Sequence, residues 1–225
     1  MNYGVIVAAG KSGRVGPGVD KAFLSLGTKP VLAYSLLAFE KCPEVDGVIL
    51  VVRRDRVDGA RAMAQMYGCS KVKRVVAGGA RRQVSVSNGL SRLGEDVKII
   101  AVHDGARPCV TPALIAATIK SAKRYGSGVA GVRLTDTIKH VERGVTVSKT
   151  LDRTKLWAVQ TPQTFKRNLL LRAFKAVKKK GVTVTDEASA VELLGESVHL
   201  VPSSWSNIKI TTADDLALAV ALLRL

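Results

Sequence analysis

Two kinds of apolar pattern alternate along the chain. Short runs rich in β-branched residues predict strands, and longer amphipathic stretches predict helices. Strands are predicted at Tyr3–Ala9, Gly47–Arg53, Lys71–Ala77, Val97–His103 and Val129–Leu134. Helices are predicted at Pro30–Lys41 and Arg82–Leu93, and a third opens at Thr111-Pro112. This alternation predicts an α/β fold, a three-layer Rossmann-like, mostly parallel sheet with helices on both faces.

The alternation stops between Asp136 and Ala158. Short alternating stretches flank Glu142-Arg143-Gly144, a pattern typical of an extended β-hairpin arm. The segment is too polar and too β-prone for a helix or a core strand. A lone hairpin is only marginally stable in water. The arm is therefore expected either to pack on a partner subunit or to fold back on its own sheet, and the pattern leaves both open.

Helices and strands return after the arm. Helices are predicted at Lys166–Lys179 and from about Thr185, and strands at Ser197–Val201 and Asn207–Thr211. A last helix is opened by Thr211-Thr212-Ala213-Asp214-Asp215, whose acids suit a helix N-terminus. Because no repeats, low-complexity tracts or linkers interrupt the pattern, residues 1–225 are expected to form one domain, with the arm at about 136–158 used in dimerisation if it meets a partner.

The charge of the chain is unusual. Its 225 residues include 35 Lys and Arg against 18 Asp and Glu, a formal net charge of +17. Such an excess fits either a nucleic-acid-binding surface or a cleft for small polyanions. The basic residues are dispersed, and aromatic residues, which a base-stacking surface needs, make up only 4% of the chain. The composition therefore favours small anions, and no nucleic-acid partner is expected.

The three cysteines, Cys42, Cys69 and Cys109, lie far apart without metal or disulfide spacing. They indicate reduced thiols and a cytoplasmic location. No apolar run approaches the roughly 18–20 residues that span a bilayer. The chain begins directly with its first strand, without the pattern of a signal peptide, so no membrane association is expected.

The first strand leads into a glycine-rich loop that carries several cations. The sequence Val5-Ile6-Val7-Ala8-Ala9-Gly10-Lys11-Ser12-Gly13-Arg14 is followed by Lys21. Backbone N–H groups and positive charge at the end of a parallel strand are suited to polyphosphates. The loop fits neither the Walker A spacing nor the dinucleotide fingerprint. It predicts a nucleotide site of a less common kind.

Two further loops follow predicted strands. Gly78–Ser85 comes after one strand and His103–Pro108 after another. Because the carboxyl ends of parallel strands share one edge, these loops are expected to meet the first loop at a ligand site.

Asp104 is suitably placed at this site to hold Mg²⁺ on nucleotide phosphates, or alternatively serves as a turn aspartate. Arg107 can grip a second phosphate. His103 alternates to the opposite face and is expected to be structural.

The sequence contains no G-x-S-x-G motif around a nucleophilic serine. Cations and a single carboxylate suit direct in-line displacement at phosphorus, in which positioning and charge stabilisation supply most of the rate. The residues therefore favour a phosphoryl-transfer enzyme over one that forms a covalent intermediate.

An ordered set of motifs makes a specific resemblance. From residue 4 to residue 216 the chain resembles the bacterial 2-C-methyl-D-erythritol 4-phosphate cytidylyltransferases of the non-mevalonate isoprenoid pathway. The motifs are Ala8-Ala9-Gly10, Arg14, Lys21, Gly78-Gly79, Arg82, Ser85-Val86, Val102-His103-Asp104, Ala106-Arg107-Pro108, Asp136-Thr137-Ile138-Lys139, Asp152-Arg153, Leu156-Trp157, Gln160-Thr161-Pro162-Gln163, Phe165, Thr185-Asp186-Glu187-Ala188-Ser189 and Asn207-Ile208-Lys209-Ile210-Thr211.

The resemblance implies a reaction of CTP with 2-C-methyl-D-erythritol 4-phosphate that gives 4-diphosphocytidyl-2-C-methyl-D-erythritol and pyrophosphate. It implies that CTP is held, chiefly by its base and ribose, at Ala8, Ala9, Gly10, Gly79 and Ser85. The catalytic cations implied are Arg14 and Lys21 on the triphosphate, together with Lys209. Asp104 is implied at the junction of Mg²⁺, or another divalent cation, and substrate. The positions implied around methylerythritol phosphate are Arg107, Thr137, Arg153 and Lys209.

The resemblance also implies a homodimer with shared active sites, because Arg153 lies on the arm and the family's arm reaches the neighbouring subunit. Two positions depart from the family pattern. Asp20 stands where proline is usual, and Ala80 stands where many relatives carry an acid. The ribitol-5-phosphate cytidylyltransferases are the nearest alternative, but they tend to have Ala-Gly-Gly in the first loop and lack the segment from Arg153 to Trp157. A basic nucleic-acid-binding protein is the alternative from another class.

Overall fold

A computed structural model of the protein describes residues 1–10 and 20–225. The strands of these residues are β1 (Asn2–Ala8), β2 (Ser25–Leu26), β3 (Lys29–Pro30), β4 (Gly47–Val52), β5 (Val72–Ala77), β6 (Ile99–Asp104), β7 (Ser127–Arg133), β8 (Lys139–Val141), β9 (Val147–Thr150), β10 (Trp157–Lys166) and β11 (Leu200–Pro202). The α-helices are α1 (Val31–Lys41), α2 (Val57–Met66), α3 (Arg82–Leu90), α4 (Pro112–Tyr125), α5 (Arg167–Lys180), α6 (Glu187–Glu192) and α7 (Ala213–Leu223).

Seven strands form the central sheet in the order β11-β7-β10-β6-β1-β4-β5. Strand β10 runs antiparallel to both of its neighbours, and every other neighbouring pair is parallel. The crossovers between parallel strands are helical, as parallel pairing requires. The mostly parallel α/β sheet predicted from the sequence is therefore confirmed.

Both faces of the sheet are covered, which explains the continuous apolar runs in its strands. All six residues of β4 are buried. On one face, strand residues such as Ile6 and Leu50 pack with α1, α2 and α4. On the other face, residues such as Val5 and Ile100 pack with α3, α5 and α6. These two cores give the three layers that the sequence predicts.

The sequence pattern is wrong or silent at several elements, including the short strands β2 and β3, which it does not predict. It does not predict α2, and it does not predict β10, whose inner residues Gln160, Thr161, Gln163 and Thr164 are polar but buried. The predicted strand at Asn207–Thr211 is a loop instead. This loop is joined to the loop after β6 by a backbone hydrogen bond, in which the N–H of Ile210 donates to the carbonyl of Ala106 at 2.8 Å.

The arm does not join the central sheet. Strands β8 and β9 pair only with each other, in a two-stranded antiparallel sheet. Of the two arrangements left open by the sequence, folding back onto the main sheet is therefore wrong. The predicted arm boundary is also too wide, because Trp157 and Ala158 belong to β10 and pair with β7.

Among the helices of residues 1–10 and 20–225, none combines the length and the apolar character needed to cross a membrane.

Candidate active site

The loops after β5 and β6 meet the described ends of the first loop, at Gly10 and Lys21, at one edge of the sheet. Here β1 and β6 end side by side, with Val7 paired to Asp104, and β4 and β5 end side by side, with Val52 paired to Ala77. A cleft of about 750 Å³ opens at this edge. Of the predicted site residues, the cleft is lined by Ala8, Ala9, Gly10, Lys21, Gly79, Ser85, Asp104 and Lys209. The structure therefore brings these predicted positions together in one cleft.

The glycine loop after β5 comes very close to the end of β1. A Cβ atom added to Gly78 would lie 2.3 Å from the Cβ of Ala9 and 2.7 Å from Oγ of Ser85. Only glycine permits this approach. The N–H of Gly79 donates to Oγ of Ser85 at 3.0 Å, which fixes the loop on the first turn of α3. The predicted nucleotide-contacting positions of the two loops are thus brought together by backbone packing.

Four charged side chains form a chain that runs from the cleft into the protein. Lys209 Nζ donates to Oδ2 of Asp104 at 2.6 Å, and Arg82 Nε donates to Oδ1 of Asp104 at 2.9 Å. The two terminal nitrogens of Arg82 donate to the two carboxylate oxygens of Glu187 at 2.6 and 2.9 Å. We call these four residues the charge chain. Its charges alternate in sign and sum to zero.

Burial and partners set the protonation states of the charge chain. Burial alone acts to raise the pKa of Asp104, but the charges of Arg82 and Lys209 outweigh it and hold that pKa well below its usual range. For Glu187, burial prevails over the attraction of Arg82 and raises its pKa. Burial acts to lower the pKa of Arg82, and the two carboxylates more than offset it. Asp104 is therefore an anion at neutral pH, even though only 10% of its side chain is exposed to solvent.

The loop that carries Lys209 is held by hydrogen bonds on both sides. Arg107 donates from NH1 to the carbonyl of Asn207 at 2.7 Å. The amide of Asn207 donates to Oε1 of Gln160 and to the carbonyl of Thr161, both at 2.9 Å. Arg107 does not line the cleft. Its predicted contact with substrate stays a prediction, and its contact in the structure is to the Lys209 loop.

Asp20, the residue before Lys21, also lines the cleft. It is 6% exposed, accepts the N–H of Ala22 at 3.2 Å, and lies 3.7 Å from Nε of Arg56. Burial raises the pKa of Asp20. The departure from proline therefore places a buried carboxylate that faces Arg56 next to Lys21, which lines the cleft. Arg14 lies outside the described residues.

Thr137 and Arg153 are not brought to the cleft within one chain. Both are exposed, and Arg153 donates from its guanidinium to the carbonyl of Thr135 at the base of the arm. Their predicted role toward substrate stays a prediction. Within residues 1–10 and 20–225, the predicted site residues that converge are those at the carboxyl edge of the main sheet and on the Lys209 loop.

Asp104, the carboxylate at which the sequence predicts a metal, lines the cleft together with Asp20 and Asp55. Within residues 1–10 and 20–225, no cluster of three or more His, Cys, Asp or Glu side chains could hold a metal ion unaided.

The neighbouring His103 is fully buried on the opposite face, as expected, where its ring lies 5.4 Å from that of Phe39. Its Nδ1 shares a hydrogen bond of 3.0 Å with Oγ1 of Thr161. Burial lowers the pKa of His103 to about 3.

Sequence reasoning assigned no role to Arg82 or Glu187, although both lie within quoted motifs. The contact between them joins positions 105 residues apart. Glu187 begins a short helix after the capping Asp186, but nothing in the local sequence pairs it with Arg82. The local sequence also offers no signal for Arg53 and Arg54, which line the cleft.

A mostly parallel α/β sheet with a cleft at its carboxyl edge, lined by glycines, cations and the carboxylates of Asp20, Asp55 and Asp104, has the ligand site of a nucleotide-binding α/β protein. The family model of 2-C-methyl-D-erythritol 4-phosphate cytidylyltransferase matches residues 3–225. The chain belongs to this family.

Individual relatives agree with that assignment over their whole length. A 2-C-methyl-D-erythritol 4-phosphate cytidylyltransferase of Lysinibacillus sphaericus is 42% identical over 225 residues, which cover 100% of this chain and 96% of that protein. One of Dehalococcoides mccartyi is 44% identical over 220 residues, covering 98% and 95%. The crystal structure of a 4-diphosphocytidyl-2C-methyl-D-erythritol synthase from Anaerococcus prevotii matches with a TM-score of 0.88 at 28% identity, covering 100% of this chain and 99% of that one.

Proposed function

We propose that this chain transfers CMP from CTP to 2-C-methyl-D-erythritol 4-phosphate, which yields 4-diphosphocytidyl-2-C-methyl-D-erythritol and pyrophosphate in isoprenoid precursor biosynthesis. The observation that carries the proposal is the family match over residues 3–225. The cleft supports it, because cations and glycine loops line the same edge of the sheet.

The proposed chemistry is a direct displacement at phosphorus. A phosphate oxygen of methylerythritol phosphate attacks the α-phosphorus of CTP, and the bond to the bridging oxygen breaks as pyrophosphate leaves with its electron pair. Backbone groups at Ala8–Gly10 and Gly79, with Ser85, are proposed to hold the cytidine. Lys21 and Arg14 are proposed to stabilise charge on the triphosphate, and Lys209 to bind the attacking phosphate. Preorganised cations of this kind supply much of the rate in phosphoryl transfer.

We also propose that Mg²⁺, or another divalent cation, accompanies CTP and is held by Asp104. Mg²⁺ usually takes only one or two protein carboxylates and completes its shell with phosphate oxygens and water. Asp104 fits that need, because it is anionic and lines the cleft. Each of its oxygens already accepts one hydrogen bond and has capacity for another partner. When bound, the cation would neutralise phosphate charge.

A homodimer with shared sites is the proposed assembly. The arm lies outside the central sheet and exposes Val141, Val145 and Val147, the second of them 95% exposed. An exposed apolar stripe on a hairpin needs a partner surface. Thr137 and Arg153 lie on this arm, away from the cleft of their own chain, so they could act in a partner's site.

We also propose a cytoplasmic location. The cysteines of the described chain are free, which fits the reducing conditions of the cytoplasm.

A coupled pyrophosphate assay tests the function. Purified protein is given CTP and Mg²⁺ with either methylerythritol phosphate or ribitol 5-phosphate, and release is measured again with EDTA. We expect release only with methylerythritol phosphate and only with the divalent cation. Release with ribitol phosphate alone would move the assignment to the ribitol enzymes. Tight, salt-sensitive RNA binding without turnover of either substrate would contradict both enzymes, and full activity in EDTA would contradict the metal.

A further inference from the structure

Glu187 is the most deeply buried acid of the charge chain. Its side chain is 1% exposed, and it does not line the cleft. Both of its oxygens are bonded to Arg82. A carboxylate in this position cannot touch a substrate, so any effect on the reaction has to pass through Arg82.

Arg82 contacts both Glu187 and Asp104, so it can transmit a change at Glu187 to Asp104. A guanidinium is a rigid planar fork, and a bidentate carboxylate fixes both its position and its plane. With NH1 and NH2 bound to Glu187, the remaining Nε–H points at Oδ1 of Asp104 at 2.9 Å. A lysine could not make these three bonds in fixed relative directions.

Glu187 is itself held in place by the central sheet. The side-chain amide of Gln163 on β10 accepts the N–H of Ala188 at 2.9 Å and donates to Asp186 at 2.8 Å. These two bonds fix the residues on either side of Glu187, and therefore fix Glu187 itself. Asp104 is held from the same strand, because its N–H donates to Oγ1 of Thr161 at 3.0 Å. Strand β10 therefore fixes both acids of the charge chain.

We propose that Glu187 and Arg82 are positioning residues for cytidylyl transfer. Glu187 fixes the guanidinium of Arg82, Arg82 fixes the carboxylate of Asp104, and Asp104 aims the ammonium of Lys209 at the phosphate of the second substrate. The inference rests on the proposed function, because it assigns these residues to the attacking phosphate of that reaction.

A purely structural role makes a different prediction. If Glu187 served only to join α6 to α3, its loss would reduce the folded fraction, which lowers kcat and leaves both KM values unchanged. If Glu187 aims Lys209, its loss raises the KM for methylerythritol phosphate more than the KM for CTP. Misplacing a reacting group by about 1 Å can cost on the order of 100-fold, so a measurable effect is expected.

The test uses Glu187→Gln, which keeps the shape of the side chain and removes its charge. We expect kcat/KM for methylerythritol phosphate to fall about 10-fold or more through a higher KM. We expect a smaller rise in the KM for CTP, since the proposed contacts of Ala8–Gly10, Gly79 and Ser85 with the cytidine are kept. Glu44→Gln is the matched control, because Glu44 forms an exposed ion pair with Lys123 at 2.8 Å, and it should match the wild type.

A double-mutant cycle tests the route through Lys209. In a Lys209→Ala background, Glu187→Gln should cost less than about threefold, since coupled residues are not additive. If Glu187→Gln costs as much there as in the wild type, Glu187 does not act through Lys209 and the proposal is wrong. Unchanged KM for methylerythritol phosphate in the single variant would also overturn it.

Glu187→Asp keeps the inference testable if Glu187→Gln does not fold. It preserves the buried charge and withdraws the carboxylate from Arg82 by one methylene. Positioning predicts a raised KM for methylerythritol phosphate in this variant too, and wild-type KM values in a folded Glu187→Asp protein would contradict it. A wild-type protein that releases no pyrophosphate would instead contradict the proposed function, so the two failures are distinguishable.

Discussion

At the scale of single residues, Lys209 combines exposure with a fixed position. Its side chain is 37% exposed, and its ammonium is held by Asp104 at 2.6 Å. An exposed cation that is held in place can bind a phosphate without first losing much side-chain entropy. This combination makes Lys209 a better candidate for the reaction than the dispersed surface lysines.

Lys209→Ala is expected to lower kcat/KM for methylerythritol phosphate about 100-fold, because removing a contact to the reacting phosphate typically costs that much. The variant should remain folded, since the side chain fills no core space. Pyrophosphate release and circular dichroism measure the two properties. Lys123→Ala, which removes another lysine that is paired with an acid, is the control and should keep full activity. Near-normal turnover of Lys209→Ala would show that the implied role is wrong.

His103 makes stability depend on pH. Burial holds its pKa at about 3, from an ordinary value of 6.5. The folded protein therefore keeps this ring neutral, whereas the unfolded chain takes up a proton below pH 6.5. Because the unfolded state binds more protons, the free energy of unfolding falls as the pH drops from about 6.5 toward 3.

The expected size of this effect is about 1.4 kcal/mol between pH 7.5 and pH 5.5 for a single histidine. His103→Gln keeps a hydrogen-bonding group near Thr161 but cannot be protonated. Urea unfolding of both proteins at the two pH values should show the wild type losing about that much more stability than the variant. Equal losses would mean that His103 titrates alike in the folded and unfolded chains.

Local sequence identifies some residues of the site and not others. Asp104 and Lys21 follow from their places after predicted strands. The contact of Arg82 with Glu187 could not be predicted, because it depends on how α3 and α6 pack on one face of the sheet. Charge type alone did not distinguish Arg82 from the many other basic residues.

At the scale of elements, the N-terminus of α7 stabilises the end of the Lys209 loop. Oδ2 of Asp215 accepts the N–H of Thr211 at 2.7 Å and that of Thr212 at 2.8 Å. Partial burial acts to raise the pKa of Asp215, but these hydrogen bonds lower it to about 2. The carboxylate is therefore ionised at neutral pH, and its contribution to stability is lost only as the pH falls from about 3.8 toward 2.

Asp215→Ala is expected to lower the free energy of unfolding by about 1 kcal/mol at pH 7, the usual cost of removing a helix cap. The neighbouring Asp214 is exposed in the same turn, so Asp214→Ala is a matched control that should cost less than about 0.5 kcal/mol. Urea denaturation at pH 7 compares them. Equal losses in the two variants would indicate an effect of charge on the helix end rather than of the cap.

The elements that the sequence misses have a common cause. Strand β10 buries Gln160, Thr161 and Gln163, which a binary apolar pattern places on the surface. Their side chains are buried because they bond to the loops and helices of the site. The apolar residues of Asn207–Thr211 resemble a strand, yet Ile210 packs under α7 instead. The apolar pattern of the sequence therefore predicts helices and strands whose side chains pack in the core. It does not predict elements whose buried side chains are polar and hydrogen-bonded around the site.

At the scale of the whole molecule, the arm is a part of the described chain that forms a sheet of its own, apart from the central sheet. Its hairpin pairs only with itself, and an isolated two-stranded hairpin is marginally stable. Arg153 is at its base, while Lys21 lines the cleft on the main sheet. In the proposed dimer, each complete site combines Lys21 of one subunit with Arg153 of the partner subunit.

Mixing two inactive variants tests that arrangement. Lys21→Ala and Arg153→Ala should each be strongly impaired alone. After subunit exchange, a hybrid dimer has one site with both defects and one site with neither. Because random exchange makes about half of the dimers hybrids, activity should recover to about a quarter of the wild-type value. If each chain completed its own site, no hybrid would contain an intact one. Pyrophosphate release from a mixture in which native mass spectrometry detects hybrids measures the outcome, and no recovery there would contradict shared sites.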